Sequence, residues 1–241
     1  MGQLDGKITI ITGAGTGIGK AIAYAYAEEG ATLVLASRNE ENLKKIDDEL
    51  KSAGFSSLVI PTDVSIEVDV INLFRTTMKE FGQVDVLVNN AGIFDGGPLD
   101  KISLATWQKV IDVNLTGTFL CSREAIKIMK KQKSGRIINI GSISAQTPRL
   151  NDAPYATSKH ALVGLTKSIA LEGREFGIAA SCLHPGNVIT ERRSMGNSKK
   201  DQEPMMMPAD IAMTAVTMAA LPQYVNMLEA IVLPVTQKYV G

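Results

Sequence analysis

The sequence predicts an α/β fold in which a doubly wound, mostly parallel sheet carries helices on both faces. The first observation is a strand-like apolar run that passes through four glycines into a helical pattern over residues 8–30. The second is that strand-like and helix-like runs alternate along the rest of the chain, which is typical of parallel sheets. The third is the length of 241 residues with no Pro/Ser-rich linker. We therefore expect one Rossmann-type domain over residues 1–241, built on a seven-stranded sheet.

A glycine-rich turn joins the first predicted strand to the first predicted helix. Ile8, Ile10 and Ile11 predict a buried strand, and the Ala-rich segment 21–30 predicts a helix. Between them, glycine stands at positions 13, 15, 17 and 19. Glycines in such a turn permit a sharp bend and a close approach to a pyrophosphate, and the helix N-terminus offers free N–H groups to the anion.

The turn fits a dinucleotide better than a nucleoside triphosphate. The triphosphate-binding loop requires Ser or Thr directly after its lysine and begins on a glycine. Here Ala21 follows Lys20, and Ala14 stands where that first glycine is needed. For the glycines alone, a tight connection without a ligand is the alternative interpretation.

The later elements alternate as parallel strands and crossover helices do. A polar, methionine-containing segment over 187–208 fits neither pattern and is expected to be a short substrate lid. The predicted strands are 31–36, 58–61, 84–89, 135–140, 179–184 and 228–233. The predicted helices are 40–53, 67–81, 104–131, 153–176 and 209–220.

Composition excludes several classes of function. Lys and Arg number 25 and Asp and Glu number 25, so no global field attracts nucleic acid or an anionic membrane, and the lysine clusters at 130–133 and 199–200 are expected to be solvated. No apolar run reaches the roughly 20 residues of a bilayer span, and the N-terminus lacks the apolar core of a signal peptide. We therefore expect a cytoplasmic protein that binds neither nucleic acid nor membrane.

The two cysteines and two histidines do not predict a metal site. Cys121 and Cys182 stand alone in apolar surroundings, which predicts buried thiols rather than a disulfide or a zinc site. His160 and His184 lack metal-ligand spacing and are expected to be packed or capping residues.

The end of the second predicted strand bears on the choice of cofactor. An NAD-selective site usually places a carboxylate there for the ribose 2′-OH, whereas a guanidinium suits a 2′-phosphate. The residues here are Ser37 and Arg38, so we expect NADP(H), with NAD(H) as the second cofactor. Alternatively, Arg38 is a solvated loop residue, and Glu40 and Glu41 simply complement the next helix N-terminus.

Two further strand ends supply short polar side chains. Asp63 follows the third strand, and the segment 89–92, Asn-Asn-Ala-Gly, follows the fourth. Ligands of open parallel sheets bind beyond the carboxyl ends of the strands, so these residues are candidates for contacts with adenine and ribose. An Asx turn or a helix cap is the alternative for each.

The candidate chemistry lies between residues 139 and 159. Tyr155 and Lys159 are four residues apart and therefore share one face of a helix. A tyrosine hydroxyl is a poor base at neutral pH, but a neighbouring ammonium stabilises the phenolate, so Tyr155 could exchange a proton. Ser142, from the adjacent strand end, could hold and polarise a carbonyl oxygen while a nicotinamide exchanges hydride with the carbon.

Taken together, these motifs resemble the short-chain dehydrogenase/reductase family over nearly the whole chain, and in particular its NADP(H)-dependent 3-oxoacyl-reductase-like members. The resemblance implies a catalytic tetrad of Asn114, Ser142, Tyr155 and Lys159, in which Asn114 organises a water and Lys159 also binds the nicotinamide ribose. The residues that it assigns to cofactor binding are Gly13, Thr16, Gly17, Ile18, Gly19, Ser37, Arg38, Asp63, Val64, Asn90, Ala91, Gly92, Tyr155, Lys159, Pro185, Gly186, Val188 and Thr190.

The resemblance weakens at the C-terminus. Many relatives end the last strand in Asp-Gly-Gly, whereas 228–233 here runs into Pro-Val-Thr at 234–236. In the family, this tail often helps to form an oligomer interface. Because the tail sequence differs here, the resemblance does not imply that the tail packs in the usual way. A homo-oligomer, tetramer or dimer, is expected from the family, supported by the apolar last strand and by the long helices over 104–131 and 153–176.

The substrate is expected to be a small-molecule carbonyl or alcohol, and the expected reaction is NADPH-dependent reduction of a small or 3-oxoacyl-like ketone. Oxidation of a secondary alcohol and a non-catalytic NADP(H) sensor are the alternatives. Arg149, Arg192 and Arg193 invite an anionic substrate, although charged loop residues usually face water. The candidates for an apolar pocket wall are Phe94, Ala145, Leu150, Met195 and Met205 to Met207.

Overall fold

A computed structural model describes residues 2–191 and 204–237. Within these residues, seven strands form one parallel sheet in the order β3-β2-β1-β4-β5-β6-β7. The predicted fold class is therefore confirmed. The strands are β1 (Ile8–Thr12), β2 (Thr32–Ser37), β3 (Ser57–Pro61), β4 (Val86–Asn89), β5 (Gly135–Ile140), β6 (Ile178–Pro185) and β7 (Glu229–Val232).

Helices connect the strands and cover both faces of the sheet. The largest differences from the predicted bounds are at three helices. The first begins at Gly17 rather than at Ala21, the predicted helix 104–131 contains a π-helical segment, Asp112–Thr116, and the predicted helix 153–176 ends at Gly173 and continues as a 3₁₀ turn. The helices are α1 (Gly17–Glu28), α2 (Glu40–Ser52), α3 (Glu67–Phe81), α4 (Leu104–Ile111), α5 (Gly117–Gln132), α6 (Ala153–Gly173) and α7 (Pro208–Ala220).

The two faces of the sheet bury separate apolar clusters. Successive side chains of a strand point to opposite faces. Ile11 accordingly packs with Ile22 and Tyr26 of α1, whereas Ile10 packs with Phe74 of α3 and Leu120 of α5. Because both faces are covered, the central strands are continuous apolar runs, as expected for a parallel sheet.

Polar side chains cross the core between β4 and β5. The Asn89 amide donates to Ser122 Oγ at 3.0 Å and to Asn139 Oδ1 at 2.9 Å, and Asn139 donates to Thr166 Oγ1 at 2.8 Å. These bonds tie both strands to α5 and α6. They fix the strand ends from which the candidate site is built.

The order of the strands reverses direction at β1, whose neighbours are β2 and β4. A crevice forms at such a switch point, outside the carboxyl ends of the strands. None of the helices in the described ranges combines the length and the apolar composition needed to cross a bilayer.

Candidate active site

The glycine turn after β1 is packed too closely for side chains. Gly13 has φ +63°, in the left-handed region, and a Cβ on it would lie 2.8 Å from the Cα of Ala91. A Cβ on Gly19 would overlap the carbonyl oxygen of Gly13 and the amide of Asn90. The turn therefore needs glycine for close packing against the loop that follows β4.

Asn90 braces this turn from the neighbouring strand. Its side-chain amide donates to the carbonyl oxygens of Thr12 at 3.1 Å and of Gly13 at 3.0 Å. The hydroxyl of Thr12 in turn accepts from the backbone N–H groups of Asn90 and Ala91, each at 3.1 Å. The structure thus places the Asn90 side chain against the protein backbone, where it holds two loops together.

The N-terminus of α1 holds a carboxylate. The N–H of Gly17 donates to Oε2 of Glu191 at 3.0 Å. The first N–H groups of a helix have no intrahelical partner and attract anions, so Glu191 occupies a position that suits a phosphate oxygen. Thr190 lies beside it, because a Cβ on Gly17 would be 3.3 Å from the Thr190 methyl group.

A groove of about 570 Å³ extends from the glycine turn along the ends of β2, β3 and β4. Arg38 and Asp63 lie on its wall, with Nη1 of Arg38 3.8 Å from Oδ2 of Asp63. The other carboxylate oxygen of Asp63 accepts from the Ser65 N–H at 3.0 Å and hydroxyl at 2.6 Å. The predicted cofactor residues that line the groove are Gly13, Thr16, Ser37, Arg38, Asp63, Val64, Ala91 and Gly92.

A second depression, of about 620 Å³, lies at the opposite end of β6. Its lining includes Arg174, Ile178 and Tyr224, and it contains none of the predicted site residues. Because ligands of this architecture bind at the carboxyl ends of the strands, the groove beside the glycine turn is the better candidate for the active site.

Lys159 is buried and fixed at the carboxyl end of β5. Its Nζ donates to the carbonyl oxygen of Ile140, the last residue of the strand, at 2.7 Å. The same ammonium lies 5.6 Å from the centre of the Tyr155 ring. Tyr155 is one helical turn before Lys159 on α6. The bond from Lys159 to Ile140 therefore holds this part of α6 near the end of β5, the strand that Ser142 follows.

Ser142 presents its hydroxyl at the start of a short 3₁₀ turn, Ile143–Ala145. Its Oγ accepts from the backbone N–H of Ser144 at 3.1 Å. A hydroxyl carries one donor hydrogen besides its acceptor lone pairs, so the O–H of Ser142 can still donate to a substrate oxygen.

Asn114 lies in the π-helical segment, which is a common feature of functional sites. Its Oδ1 accepts from the Ile93 N–H at 2.8 Å, and its amide donates to the Ile93 carbonyl oxygen at 3.0 Å and to Ser158 Oγ at 3.1 Å. These bonds join the loop after β4 to the residue beside Lys159. All four residues of the predicted tetrad thus lie around the end of β5.

The segment after β6 closes the far side of the site. The Gly186 N–H donates to the Val232 carbonyl oxygen at 2.8 Å, and the Asn187 N–H donates to Oε1 of Gln237 at 3.0 Å. Val188 forms a parallel bridge with Met206. Pro185, Gly186 and Val188 are therefore held by β7, the C-terminal tail and Met206, and Thr190 lies against Gly17 of α1.

The substrate side of the site combines an aromatic surface with one guanidinium. The rings of Phe94 and Tyr155 are 5.2 Å apart and tilted by 59°. Arg149 donates through Nη2 to Oδ1 of Asn187 at 2.8 Å, so it lies against the turn after β6. Most of the predicted lid, with Arg192, Arg193 and Met195, falls outside the described residues.

The two cysteine thiols are buried. Burial raises the pKa of Cys121 to about 12 and that of Cys182 to about 11. Neither thiol is therefore a thiolate at neutral pH, as the sequence predicted for packed cysteines. Among the described residues, no group of His, Cys, Asp and Glu side chains could hold a metal ion.

Known proteins are similar to this chain in sequence. The family model described as short chain dehydrogenase matches residues 7–201. The chain belongs to the short-chain dehydrogenase/reductase family. An uncharacterised oxidoreductase of Bacillus subtilis is 35% identical over 219 residues, which are 90% of this chain and 84% of that protein. A 3-oxoacyl-(acyl-carrier-protein) reductase of Synechocystis is 37% identical over 192 residues, 79% of this chain and 78% of that protein.

A solved structure extends the comparison to the whole fold. The crystal structure of a short-chain type dehydrogenase/reductase from Mycobacterium marinum matches with a TM-score of 0.89 and 32% identity, over 95% of this chain and 94% of that one. As a member of the short-chain dehydrogenase/reductase family, this protein is an oxidoreductase that acts on CH–OH groups with a nicotinamide dinucleotide.

The residues present fit such a dinucleotide. The glycine turn lines the start of the groove, the N-terminus of α1 bonds a carboxylate oxygen, and the groove continues from there toward Arg38. The glycine turn and the helix N-terminus would hold the pyrophosphate, and Lys159 would hold the nicotinamide ribose.

Three contacts that shape this geometry were not predicted, although His184 was expected to be a packed or capping residue. Gln237 holds the turn after β6, Glu191 caps α1, and His184 bonds the backbone of Ser142. Each contact joins residues that are more than 40 positions apart in sequence, so no local pattern signals it.

Proposed function

We propose that this short-chain dehydrogenase/reductase is an NADPH-dependent carbonyl reductase acting on 3-oxoacyl-like or small ketones. The main support is the position of Lys159, whose Nζ donates to the carbonyl oxygen at the end of β5, two residues before Ser142, and lies 5.6 Å from the centre of the Tyr155 ring. Similarity to the Synechocystis 3-oxoacyl-(acyl-carrier-protein) reductase supports the substrate class.

In this proposal, the reduced nicotinamide supplies the hydride for the carbonyl carbon when bound. Ser142 donates its hydroxyl hydrogen to the carbonyl oxygen, since its Oγ is already held by the Ser144 N–H. Tyr155 gives its phenolic proton to the same oxygen as negative charge develops there, and the ammonium of Lys159 stabilises the resulting phenolate. Asn114 joins Ile93, in the loop after β4, to Ser158, the neighbour of Lys159 on α6. As the family resemblance implies, Asn114 would also organise a water that returns a proton.

The proposed preference for NADP(H) depends on Arg38. Its side chain is 63% exposed on the groove wall and makes a long, 3.8 Å ion pair with Asp63. A 2′-phosphate would give the guanidinium a closer, doubly charged partner with fork geometry. NAD(H) lacks that group and would bind more weakly.

The proposed substrate class follows from the surfaces around Tyr155. Phe94, 46% exposed, covers one side of the Tyr155 ring, which suits a short acyl or alkyl chain next to the reacting carbonyl. Leu150, five residues before Tyr155, is 88% exposed, which would allow a thioester carrier to extend into solvent.

We also propose that the protein assembles as a homo-oligomer, a dimer or a tetramer. Large apolar side chains are exposed on the outer helices and on the edge strand: Leu104 on α4, Phe119 on α5 and Ile231 on β7 are 78%, 44% and 48% exposed. Exposed apolar groups on regular elements suit symmetric contacts between copies.

Cofactor titration followed by a turnover panel tests the proposed function. Fluorescence of NADPH and NADH during titration gives the two Kd values, and oxidation of bound NADPH is then followed with acetoacetyl-CoA, 2,3-butanedione and cyclohexanone. Tighter binding of NADPH with ketone-dependent oxidation is expected. Oxidation of secondary alcohols by NADP⁺ without measurable reduction of any ketone would reverse the proposed direction, and failure to bind either cofactor would overturn the proposal.

A further inference from the structure

His184 lies directly against the backbone of Ser142 and is fully buried on β6. Its Nδ1 is 3.3 Å from the backbone nitrogen of Ser142, within reach of the N–H, and 3.1 Å from the carbonyl oxygen of the same residue. A single ring nitrogen therefore faces both polar backbone groups of Ser142.

Ser142 needs such a partner because it lies beyond the strand pairing. The last rung between β5 and β6 is the bond from the Gly141 N–H to the Leu183 carbonyl oxygen, at 2.7 Å. A Cβ on Gly141 would lie 2.5 Å from Nδ1 of His184, so glycine is what admits the imidazole to this position. The His184 imidazole therefore supplies a hydrogen bond to the Ser142 backbone where the pairing of β5 with β6 ends.

The imidazole can bond Ser142 in either neutral tautomer. Burial lowers the pKa of His184, which keeps the ring neutral at physiological pH. A bare Nδ1 accepts from the Ser142 N–H, and a protonated Nδ1 donates to the Ser142 carbonyl oxygen. The other nitrogen, Nε2, is 3.9 Å from Oε2 of Glu229 and has no hydrogen-bond partner within the described part of the chain.

We propose that His184 is a positioning residue for carbonyl reduction: its Nδ1 fixes the backbone of Ser142 so that the Ser142 hydroxyl stays aimed at the substrate oxygen. The Ser144 N–H holds Oγ from the other side, so backbone and side chain of Ser142 are both restrained. This inference rests on the proposed role of Ser142 in reduction.

Two substitutions separate positioning from packing. Asparagine places an amide near the position of Nδ1 and can still bond Ser142, but it fills less space than histidine. Leucine fills the cavity and can make no hydrogen bond. If His184 positions Ser142, His184→Asn keeps more activity than His184→Leu; if the ring only packs, the order is reversed.

The variants are assayed for reduction of acetoacetyl-CoA by NADPH, with Ser142→Ala and Cys182→Ala in parallel. For His184→Leu we expect kcat to fall by about 10- to 100-fold, the size of a small misplacement of a reacting group, with the Kd for NADPH within about twofold. His184→Asn should restore kcat to within about fivefold of the parent protein. Cys182, also on β6, lies against Gly141 as His184 does, but it makes no hydrogen bond to Ser142. Cys182→Ala should therefore leave kcat unchanged.

The outcomes distinguish the two proposals. Equal or better activity of His184→Leu than of His184→Asn would overturn the positioning role, and so would loss of NADPH binding in both variants. Full activity of Ser142→Ala, or no turnover by the parent protein, would contradict the proposed function itself and the role of His184 with it.

Discussion

At the scale of single residues, the cofactor preference depends on the Arg38 guanidinium. Its exposed position on the groove wall leaves it able to turn from Asp63 to a phosphate. We expect Arg38→Ala to raise the Kd for NADPH by about tenfold or more, since charge-assisted hydrogen bonds contribute roughly 1.5–3 kcal/mol. The Kd for NADH should change by less than about threefold, because NADH has no group for Arg38 to bind.

Fluorescence titration with both cofactors measures this difference. Arg75, an exposed arginine on α3, provides the matched control, and Arg75→Ala should leave both Kd values unchanged. Equal weakening of NADPH and NADH by Arg38→Ala would refute the 2′-phosphate assignment.

The carboxylate of Glu191 gives a second prediction at this scale. It accepts the Gly17 N–H that the proposed pyrophosphate would need, and its negative charge opposes a phosphate there. Glu191→Gln should therefore lower the Kd for NADPH, by about three- to tenfold, since one charge near a helix N-terminus contributes roughly 0.3–1 kcal/mol and repulsion adds to it.

Isothermal calorimetry at low ionic strength measures the effect, with Glu80→Gln on the exposed surface of α3 as the control. Weaker NADPH binding by Glu191→Gln would mean that this carboxylate helps the cofactor instead of opposing it.

The residues whose sequence spacing indicates the chemistry could be predicted. The contacts from other elements that hold these residues in place could not. Tyr155 and Lys159 share a helix face, so their proximity follows from a spacing of four residues. The contact between His184 and Ser142 exists only because β6 pairs with β5 in a particular register, with Ile140 opposite Leu183. No short sequence motif determines the register between two strands that are distant in the sequence.

At the scale of elements, the glycine turn depends on close contact between the start of α1 and the loops after β1 and β4. We expect Gly19→Ala to destabilise the protein by about 1–3 kcal/mol, because the new Cβ meets the Gly13 carbonyl and the Asn90 amide. Urea unfolding measures the free energy.

Gly164 on α6 is the matched control, since a Cβ there meets nothing within 4 Å. Gly164→Ala should be neutral or stabilising by up to about 1 kcal/mol, because alanine favours the helix. If both substitutions had the same effect on stability, close packing at the turn would not be what requires glycine at position 19.

Element types were predictable, and boundaries were less so. Gly135–Ile140 and Glu67–Phe81 have the predicted bounds because turn residues flank them. The start of α1 was placed too late, since Gly17 and Gly19 have low helix propensity and are tolerated only through tertiary contacts. The π-helical segment around Asn114 leaves the apolar periodicity of 104–131 almost unchanged, so the sequence showed one continuous helix.

At the scale of the whole molecule, the alternation of strands and helices was sufficient to predict the parallel sheet, and its order determines where the groove lies. The proposed assembly is tested by light scattering after size exclusion, where a mass of two or four times 25.8 kDa is expected. Phe119→Asp should reduce that mass, because a carboxylate would be buried in the proposed contact.

Val68, 68% exposed on α3, provides a control outside the proposed interface elements, and Val68→Asp should leave the mass unchanged. A parent protein that elutes at the mass of one chain would contradict the proposed assembly, and an unchanged mass for Phe119→Asp would exclude α5 from the interface.

Carbonyl reduction by this site is tested by measuring NADPH oxidation with acetoacetyl-CoA by the parent protein and by Tyr155→Phe, with Tyr224→Phe as control. Tyr224 is 91% exposed and lies at the second depression, away from the groove. We expect Tyr155→Phe to lose at least about 10²-fold in kcat, the usual contribution of a general acid, while its Kd for NADPH changes little. Turnover by Tyr155→Phe at the rate of the parent protein would contradict carbonyl reduction by this site.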